Sequence, residues 1–250
     1  MSVSRGTRPQ RRLRELADGY ALNARQREQL ATIVGTLEED EHAPSSVRTA
    51  AEVLDVHLAD SLVGLGISAL RDSQAIVDIG SGAGFPGLPL AVALPQAEVR
   101  LLESQARKCA FLRRVCREAG IANAEVVCAR AEEWYDGREA NDAALARAVG
   151  PPAVVLEYAA PLLRIGGTFI DWRSKIEEPE LTRALHAAAE LGMEPADVHE
   201  PRLFAGPSTR SLYLYLKVME TPKRFPRRPG MARKRPLGRG TNRRASRDVP

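Results

Sequence analysis

The stretch Ala75-Ile-Val-Asp-Ile-Gly-Ser-Gly-Ala-Gly-Phe-Pro-Gly-Leu-Pro-Leu90 leaves this chain little choice of fold. Ala75 to Ile79 is short and apolar around one acid, the pattern of a buried strand. Gly80, Gly82 and Gly84 break it, and Leu88 to Leu94 reads as the helix that follows. Strand, glycine turn and helix together are the layout of a nucleotide-binding βα unit. Glycine is required where φ is positive or where a ligand approaches the backbone, because a Cβ would collide there. The helix start behind the turn offers unpaired N–H groups to a polar or anionic ligand.

The glycines alone do not choose the ligand. Gly82, Gly84 and Gly87 match G-x-G-x-x-G, the dinucleotide fingerprint, which keeps a NAD-dependent oxidoreductase open as an alternative. Two residues count against it. Asp78 lies inside the strand, where a buried carboxylate costs several kcal/mol unless paired, so it is expected to hold a loop or a cationic ligand. Pro86 removes an N–H where a pyrophosphate would want one. Together the acid and the glycine turn resemble motif I of the S-adenosylmethionine (SAM) methyltransferases.

At 250 residues the chain has room for one large α/β domain with appendages. Cys109, Cys116 and Cys128 form no C-x-x-C pair, which points to a reducing compartment and away from disulfides or a cysteine zinc site. His42, His57, His186 and His199 are scattered, so no metal is expected. No apolar run reaches membrane-spanning length and the N-terminus has no apolar signal core, so no membrane partner and a cytoplasmic location are expected. The net charge of +4 is unevenly spread: residues 1–14 carry +5, residues 221–250 carry +10 and the body carries −11. Residues 1–19 are expected to be a disordered basic end. The C-terminal tail, basic and interleaved with Pro and Gly, is expected to meet nucleic acid.

Residues 20–70 read as a small helical cap. Apolar positions from Leu22 to Leu37 have helical spacing, Glu38 to Glu41 breaks the run, and Ser46 is the expected cap of a second helix from Ala50 to Val63. Within it, His57 and Asp60 share one helix face, where spacing alone implies a plain surface hydrogen bond. Residues 71–220 then alternate strand and helix. Ala97 to Glu103 is a second strand ending in an acid able to accept both ribose hydroxyls of a nucleoside. Residues 105–119 form an amphipathic helix with Arg107 and Lys108 at its start, placed to meet phosphate. Further strands cover Ala124 to Cys128, Asp142 to Ala148 and Thr168 to Trp172, with Gly166-Gly167 closing the helical unit before the last. Strands near 195–200 and 211–219 have no helix between them and are expected to pair antiparallel. This succession resembles the seven-stranded, Rossmann-like class I SAM-methyltransferase sheet with its terminal antiparallel hairpin.

One family is resembled specifically: the bacterial 16S rRNA guanine-N7 methyltransferases, also called glucose-inhibited division protein B. The resemblance is carried by His57-Leu-Ala-Asp-Ser-Leu62, by Asp78 through Gly84-Phe-Pro-Gly-Leu-Pro-Leu90, and by Glu103-Ser104 with Phe111-Leu112. It continues through Arg130-Ala-Glu132, Asp142 to Arg147-Ala148, Gly166-Gly167, and Phe225-Pro-Arg-Arg-Pro-Gly230 through Leu237. It implies SAM as cofactor, held by Asp78, Gly80, Ser81, Gly82, Gly84, Phe85, Glu103, Ala131, Glu132 and Arg147. Glu103 would hold the ribose, Ala131 and Glu132 would border adenine, and Arg147 would close the site near the methyl group and the target base. It implies RNA contacts from Arg107, Lys108, Arg130, Arg173, Lys175, Arg227 and Arg228. The implied substrate is 16S rRNA or the small ribosomal subunit, the family's target being guanine 527 of the decoding region, and the implied enzyme is a monomer. The family's Trp-Asn segment before the His57 motif is missing here, Arg107 replaces the usual lysine, and Trp172-Arg-Ser stands where Lys-Gly is usual.

Guanine N7 carries an in-plane lone pair and no proton, so in-line methyl transfer to it needs no general base. Arg147 is the one catalytic residue expected, as a positioning group, although a cation is a poor neighbour for a base becoming cationic. A SAM-dependent methyltransferase of tRNA or a small molecule, and a non-catalytic RNA-binding protein, are the remaining alternatives.

Overall fold

The computed structural model describes residues 7–47, 49–201 and 210–238. The expectations for residues 1–6 and 239–250 of the basic ends therefore lie outside the described residues.

Seven strands form one sheet: β1 (Ala75–Ile79), β2 (Glu98–Glu103), β3 (Ala124–Cys128), β4 (Asn141–Arg147), β5 (Leu163–Ser174), β6 (Met193–His199) and β7 (Arg210–Lys217). Their order is β3-β2-β1-β4-β5-β7-β6. β1 to β5 are parallel, and β7 runs antiparallel between β5 and β6. The expected seven-stranded sheet with a terminal antiparallel pair is thus present. The order reverses between β1 and β4, the switch point where an open α/β sheet leaves a crevice at its carboxyl edge.

The helices make a layer on each face. The first layer holds α1 (Arg8–Gly19), α2 (Ala24–Glu39), and a continuous helical rod in which α3 (Ala50–Glu52) passes through a π-helical segment (Val53–Ala59) into α4 (Asp60–Leu62). It also holds α5 (Ser68–Arg71), α6 (Gly87–Ala93) and α7 (Ala106–Glu118). The second holds α8 (Pro152–Ala159), α9 (Glu178–Glu190) and the short α10 (Met231–Lys234). Strand side chains alternate between the two cores: Ile76, Ala143 and Leu145 go to the first, and Val77, Ala144 and Ala146 to the second. By that alternation Asp78 and Arg147 face the side of the N-terminal helices.

Three local expectations are corrected. Residues 8–19 form a helix where a disordered end was expected: Thr7 and Gln10 make a reciprocal capping box, and Leu13, Leu16 and Ala17 are buried behind it. The arginines of this segment mask that signal in composition. The helix after residue 46 is capped by Thr49 with Glu52, not by Ser46. Gly166 and Gly167 lie inside β5, which starts at Leu163 and shifts register against β4. Among the described residues no helix is long and apolar enough to cross a membrane.

Candidate active site

The glycine turn is held from below. Asp78 is 1% exposed, and its Oδ2 accepts the Gly87 N–H at 3.0 Å. Close packing explains two glycines of the turn. A Cβ at Gly87 would lie 2.6 Å from Asp78 Oδ2 and 2.4 Å from Leu101 Cδ2, and Gly84, with φ of +97°, would meet Leu88 Cδ1 at 2.1 Å. Burial pushes the Asp78 carboxyl up to about 6, against the Gly87 N–H, which pulls it down. Its Oδ1 is buried with no hydrogen-bond partner among the described residues. The Gly87 N–H is therefore spent on Asp78 and is not offered to a pyrophosphate, which removes a main support of the dinucleotide reading.

Glu103, 5% exposed at the end of β2, ties two turns together. Its Oε2 accepts from Gly82 N at 3.1 Å and its Oε1 from Gln105 N at 2.9 Å. The Ser104 hydroxyl also donates to Oε1 at 3.5 Å, so of the roughly four acceptor positions of a carboxylate about one remains for a donor such as a ribose hydroxyl. Glu103 opens onto a cavity at the carboxyl edge lined also by Gly80, Ser104, Lys108, Arg130, Ala131, Glu132, Val149 and Tyr158. An acceptor carboxylate beside a glycine turn, with Glu132 further along, suits the nucleoside end of SAM. Of the residues expected to hold the cofactor, Gly80, Glu103, Ala131 and Glu132 line this cavity. Asp78, Ser81 and Gly82 shape it from behind, with Ser81 Oγ donating to the Asp78 carbonyl at 2.9 Å. Gly84 packs under the turn.

A second cavity opens beside the first, lined by Val56, His57, Arg147, Trp172, Arg173, Ser174, Lys175 and Arg210. Ala148 lines both cavities, and its φ of +58° is unusual for a residue with a side chain. Such backbone strain concentrates at functional sites. Arg147 is fixed between the cavities. Its Nη1 donates to Asp60 Oδ2 at 2.8 Å, its Nη2 reaches His57 Nδ1 at 3.0 Å, and its guanidinium sits 5.5 Å from the centre of the Phe85 ring. Arginine only donates, so His57 Nδ1 is the acceptor and the proton sits on Nε2, which faces Ser45 Oγ at 2.9 Å. Burial and the Arg147 charge hold the imidazole down at about 4, so it is neutral at physiological pH. His57 also stacks on Phe85 with centroids 4.6 Å apart. The π-helical segment containing His57 supplies this reach, as such segments often do at functional sites.

The expected surface hydrogen bond between His57 and Asp60 is therefore replaced by a buried network around Arg147. Arg210 Nε also donates to Asp60, and Trp172 Nε1 donates to the Asp60 carbonyl at 2.9 Å. Ser45, Arg210 and Trp172 were not singled out for this network from the sequence. Only the tryptophan in place of the family's lysine offered a signal.

The basic residues expected to touch RNA are dispersed. Arg173 and Lys175 line the second cavity, where Arg173 donates to Asp171 and to the Gly150 carbonyl. Burial pushes the Asp171 carboxyl up to about 7 despite that arginine. Lys108 and Arg130 line the first cavity. Arg107 donates to the His42 carbonyl at 2.8 Å beside a groove formed with Asp40 and Phe111. Arg228 is exposed. Arg227 is not placed as expected: its guanidinium is taken up by Glu157, which is fully buried. Among the described residues no three His, Cys, Asp or Glu side chains converge as metal ligands would.

The strand order, the antiparallel β7 and an acceptor carboxylate at the end of β2 define a class I SAM-dependent methyltransferase. A SAM-dependent methyltransferase from Aquifex aeolicus shares this fold, with a TM-score of 0.52 and 13% identity over 67% of this chain and 93% of that one. The family model described as rRNA small subunit methyltransferase G matches residues 26–203, and the chain belongs to that family. The ribosomal RNA small subunit methyltransferase G of Carboxydothermus hydrogenoformans is 42% identical over 203 residues, 80% of this chain and 86% of that protein. The protein of the same name from Synechococcus elongatus is 41% identical over 75% of this chain and 79% of its own.

Proposed function

We propose that the protein methylates N7 of a guanine in 16S rRNA, guanine 527 of the decoding region in this family, and that it acts as a monomer in the cytoplasm on rRNA or the small subunit. The observation that carries the reading is the pair of cavities meeting at Ala148, one presenting the Glu103 carboxylate and the other lined by Arg147, Arg173, Lys175 and Arg210. The first suits a nucleoside cofactor; the second is wide and cationic, as a nucleotide with its phosphates requires.

SAM, when bound, supplies an electrophilic methyl group on a sulfonium. Gly80, Glu103, Ala131 and Glu132 hold its nucleoside, and Asp78 keeps the glycine turn in shape through Gly87. Guanine N7 brings its own lone pair, so the chain has no proton to remove. The work left to the protein is alignment and exclusion of water. Arg147 is suited to alignment because Asp60, His57 and the Phe85 face fix its guanidinium. Asp60 also offsets the arginine's charge, which eases the objection to a cation beside a base turning cationic. His57, neutral and with its Nδ1 occupied, is a positioning residue.

The test is transfer of tritiated methyl from SAM to small subunits and to naked 16S rRNA from a strain lacking this gene, followed by mapping of N7-methylguanosine. Label at one guanine of the small-subunit RNA is expected. Incorporation only into tRNA, or none, sinks the proposal.

A further inference from the structure

The C-terminal segment after β7, rich in arginine, is bound back onto the elements that wall the nucleoside cavity. Three anchors do this. The Gly230 N–H donates to Glu132 Oε1 at 3.0 Å. Arg233 Nη2 donates to the Val149 carbonyl at 2.8 Å, in the turn that follows Arg147, and its guanidinium faces the Tyr158 hydroxyl on α8. Arg227 grips Glu157 of α8 through its backbone N–H at 3.1 Å, its Nε at 2.8 Å and its Nη2. Phe225, Ala232 and Leu237 are buried in the same core as Ala153, Leu156 and Ala159. Arg233 itself lines the cavity, together with Glu132, Val149 and Tyr158. The family model ends at residue 203, so this wall is built by a part of the chain that lies beyond it.

We infer that residues 225–235 are a strap that completes the cofactor site, and that Arg233 is a positioning residue for SAM. The inference rests on the reading of that cavity as the cofactor site. Glu132 uses one carboxylate oxygen on Gly230 and lines the cavity, so the strap holds a residue of the cavity wall. Arg233 holds the 148–150 turn, whose Val149 packs over Gly80: a Cβ on Gly80 would lie 3.0 Å from Val149 Cγ2. The strap thus reaches both ends of the cavity wall, the Glu132 end and the turn between the two cavities. Its arginines 227 and 233 are engaged with the body of the protein, which departs from the expectation of a tail given over to RNA.

The test is calorimetric titration of SAM and S-adenosylhomocysteine into the full chain and its Arg233→Ala and Arg233→Lys variants, with RNA affinity measured against salt in parallel. Loss of one such hydrogen bond predicts affinity for both ligands about tenfold weaker in Arg233→Ala. Arg233→Lys keeps a donor for the Val149 carbonyl and is expected to recover most of it, with the RNA salt slope unchanged in both. Unchanged ligand affinity in Arg233→Ala overturns the strap, whatever the RNA slope does. A wild-type protein that binds neither ligand overturns the cofactor-site reading beneath it, and the two failures are separate results. Hydrogen exchange on the wild-type chain needs no variant to fold. S-adenosylhomocysteine is expected to slow exchange at residues 228–235 along with the glycine turn. Slowing at the turn alone also overturns the strap.

Discussion

Arg147 and Asp60 are 87 residues apart and meet at 2.8 Å, with side chains 12% and 4% exposed. The contact joins the end of β4 to the helical cap, and Asp60 also holds Arg210 at the start of β7. One carboxylate thus serves two guanidinium groups from two strands. Removing it strands buried positive charge, which typically costs about 3–5 kcal/mol. Asp60→Ala is expected to lose stability on that scale and to lose methyl transfer. Asp60→Asn keeps the shape and one acceptor, and should fold with a smaller loss of stability and slower transfer. Urea unfolding and single-turnover rates check both.

Glu103 links the Gly82 and Gln105 N–H groups through its two carboxylate oxygens. Glu103→Gln keeps the size but puts an amide donor against one of these two donors. An unpaired buried donor costs about 1–3 kcal/mol, so SAM affinity should weaken by about tenfold or more. The melting temperature should move far less than in Asp60→Ala, since the fault is confined to the cavity rim. Calorimetry with S-adenosylhomocysteine separates the two effects.

The sheet was legible because its signals are local. The glycine turn, the acid ending β2 and the alternation of Leu212-Tyr-Leu-Tyr-Leu each sit within a few residues. The lining of the first cavity was legible where it is built from such stretches, as at Gly80, Glu103, Ala131 and Glu132. The Arg147 network was not, because its partners come from three places, Ser45, the His57–Asp60 helix and Arg210, and meet only when the cap docks. Spacing three apart on a helix says that two side chains share a face, not what covers that face. For the C-terminal segment, composition records charge and not contacts. Its charge points to a polyanion, and composition does not show that Glu157 and Glu132 inside the body take up Arg227 and the Gly230 N–H.

The low pKa of His57 makes a pH signature. Its imidazole ordinarily titrates near 6.5 and here near 4, so between these values the unfolded chain binds the proton and the folded one does not. Stability then rises with pH across that window, and this contribution is lost as pH falls from 6.5 toward 4. Asp78, raised from 3.8 to about 6, acts in the opposite sense: the folded state keeps its proton longer, and stability falls as pH rises through that range. A bare stability curve mixes the two. His57→Phe keeps a ring against Phe85 and removes only the first. The stability difference between wild type and His57→Phe is therefore expected to shrink as pH is lowered from 7 to 4.5, followed by urea unfolding. A difference that stays flat would place His57 in solvent-like surroundings.

Arg227 and Glu157 decide between a folded strap and an RNA arm. The Glu157 side chain is 1% exposed, and Arg227 supplies three of its hydrogen bonds. Arg227→Ala therefore leaves a buried carboxylate short of its partner and costs about 3–5 kcal/mol. Arg227→Lys recovers only part of this, because an ammonium cannot reproduce the forked geometry. The paired change Arg227→Met with Glu157→Gln should be nearer to neutral, since neither charge is then left alone in the core. A phosphate-binding arginine behaves differently: its loss barely touches stability and lowers the salt slope of RNA binding by about 1. Unfolding and filter-binding measurements on the same three variants read both quantities, with large stability changes and an unaltered salt slope the expected pair.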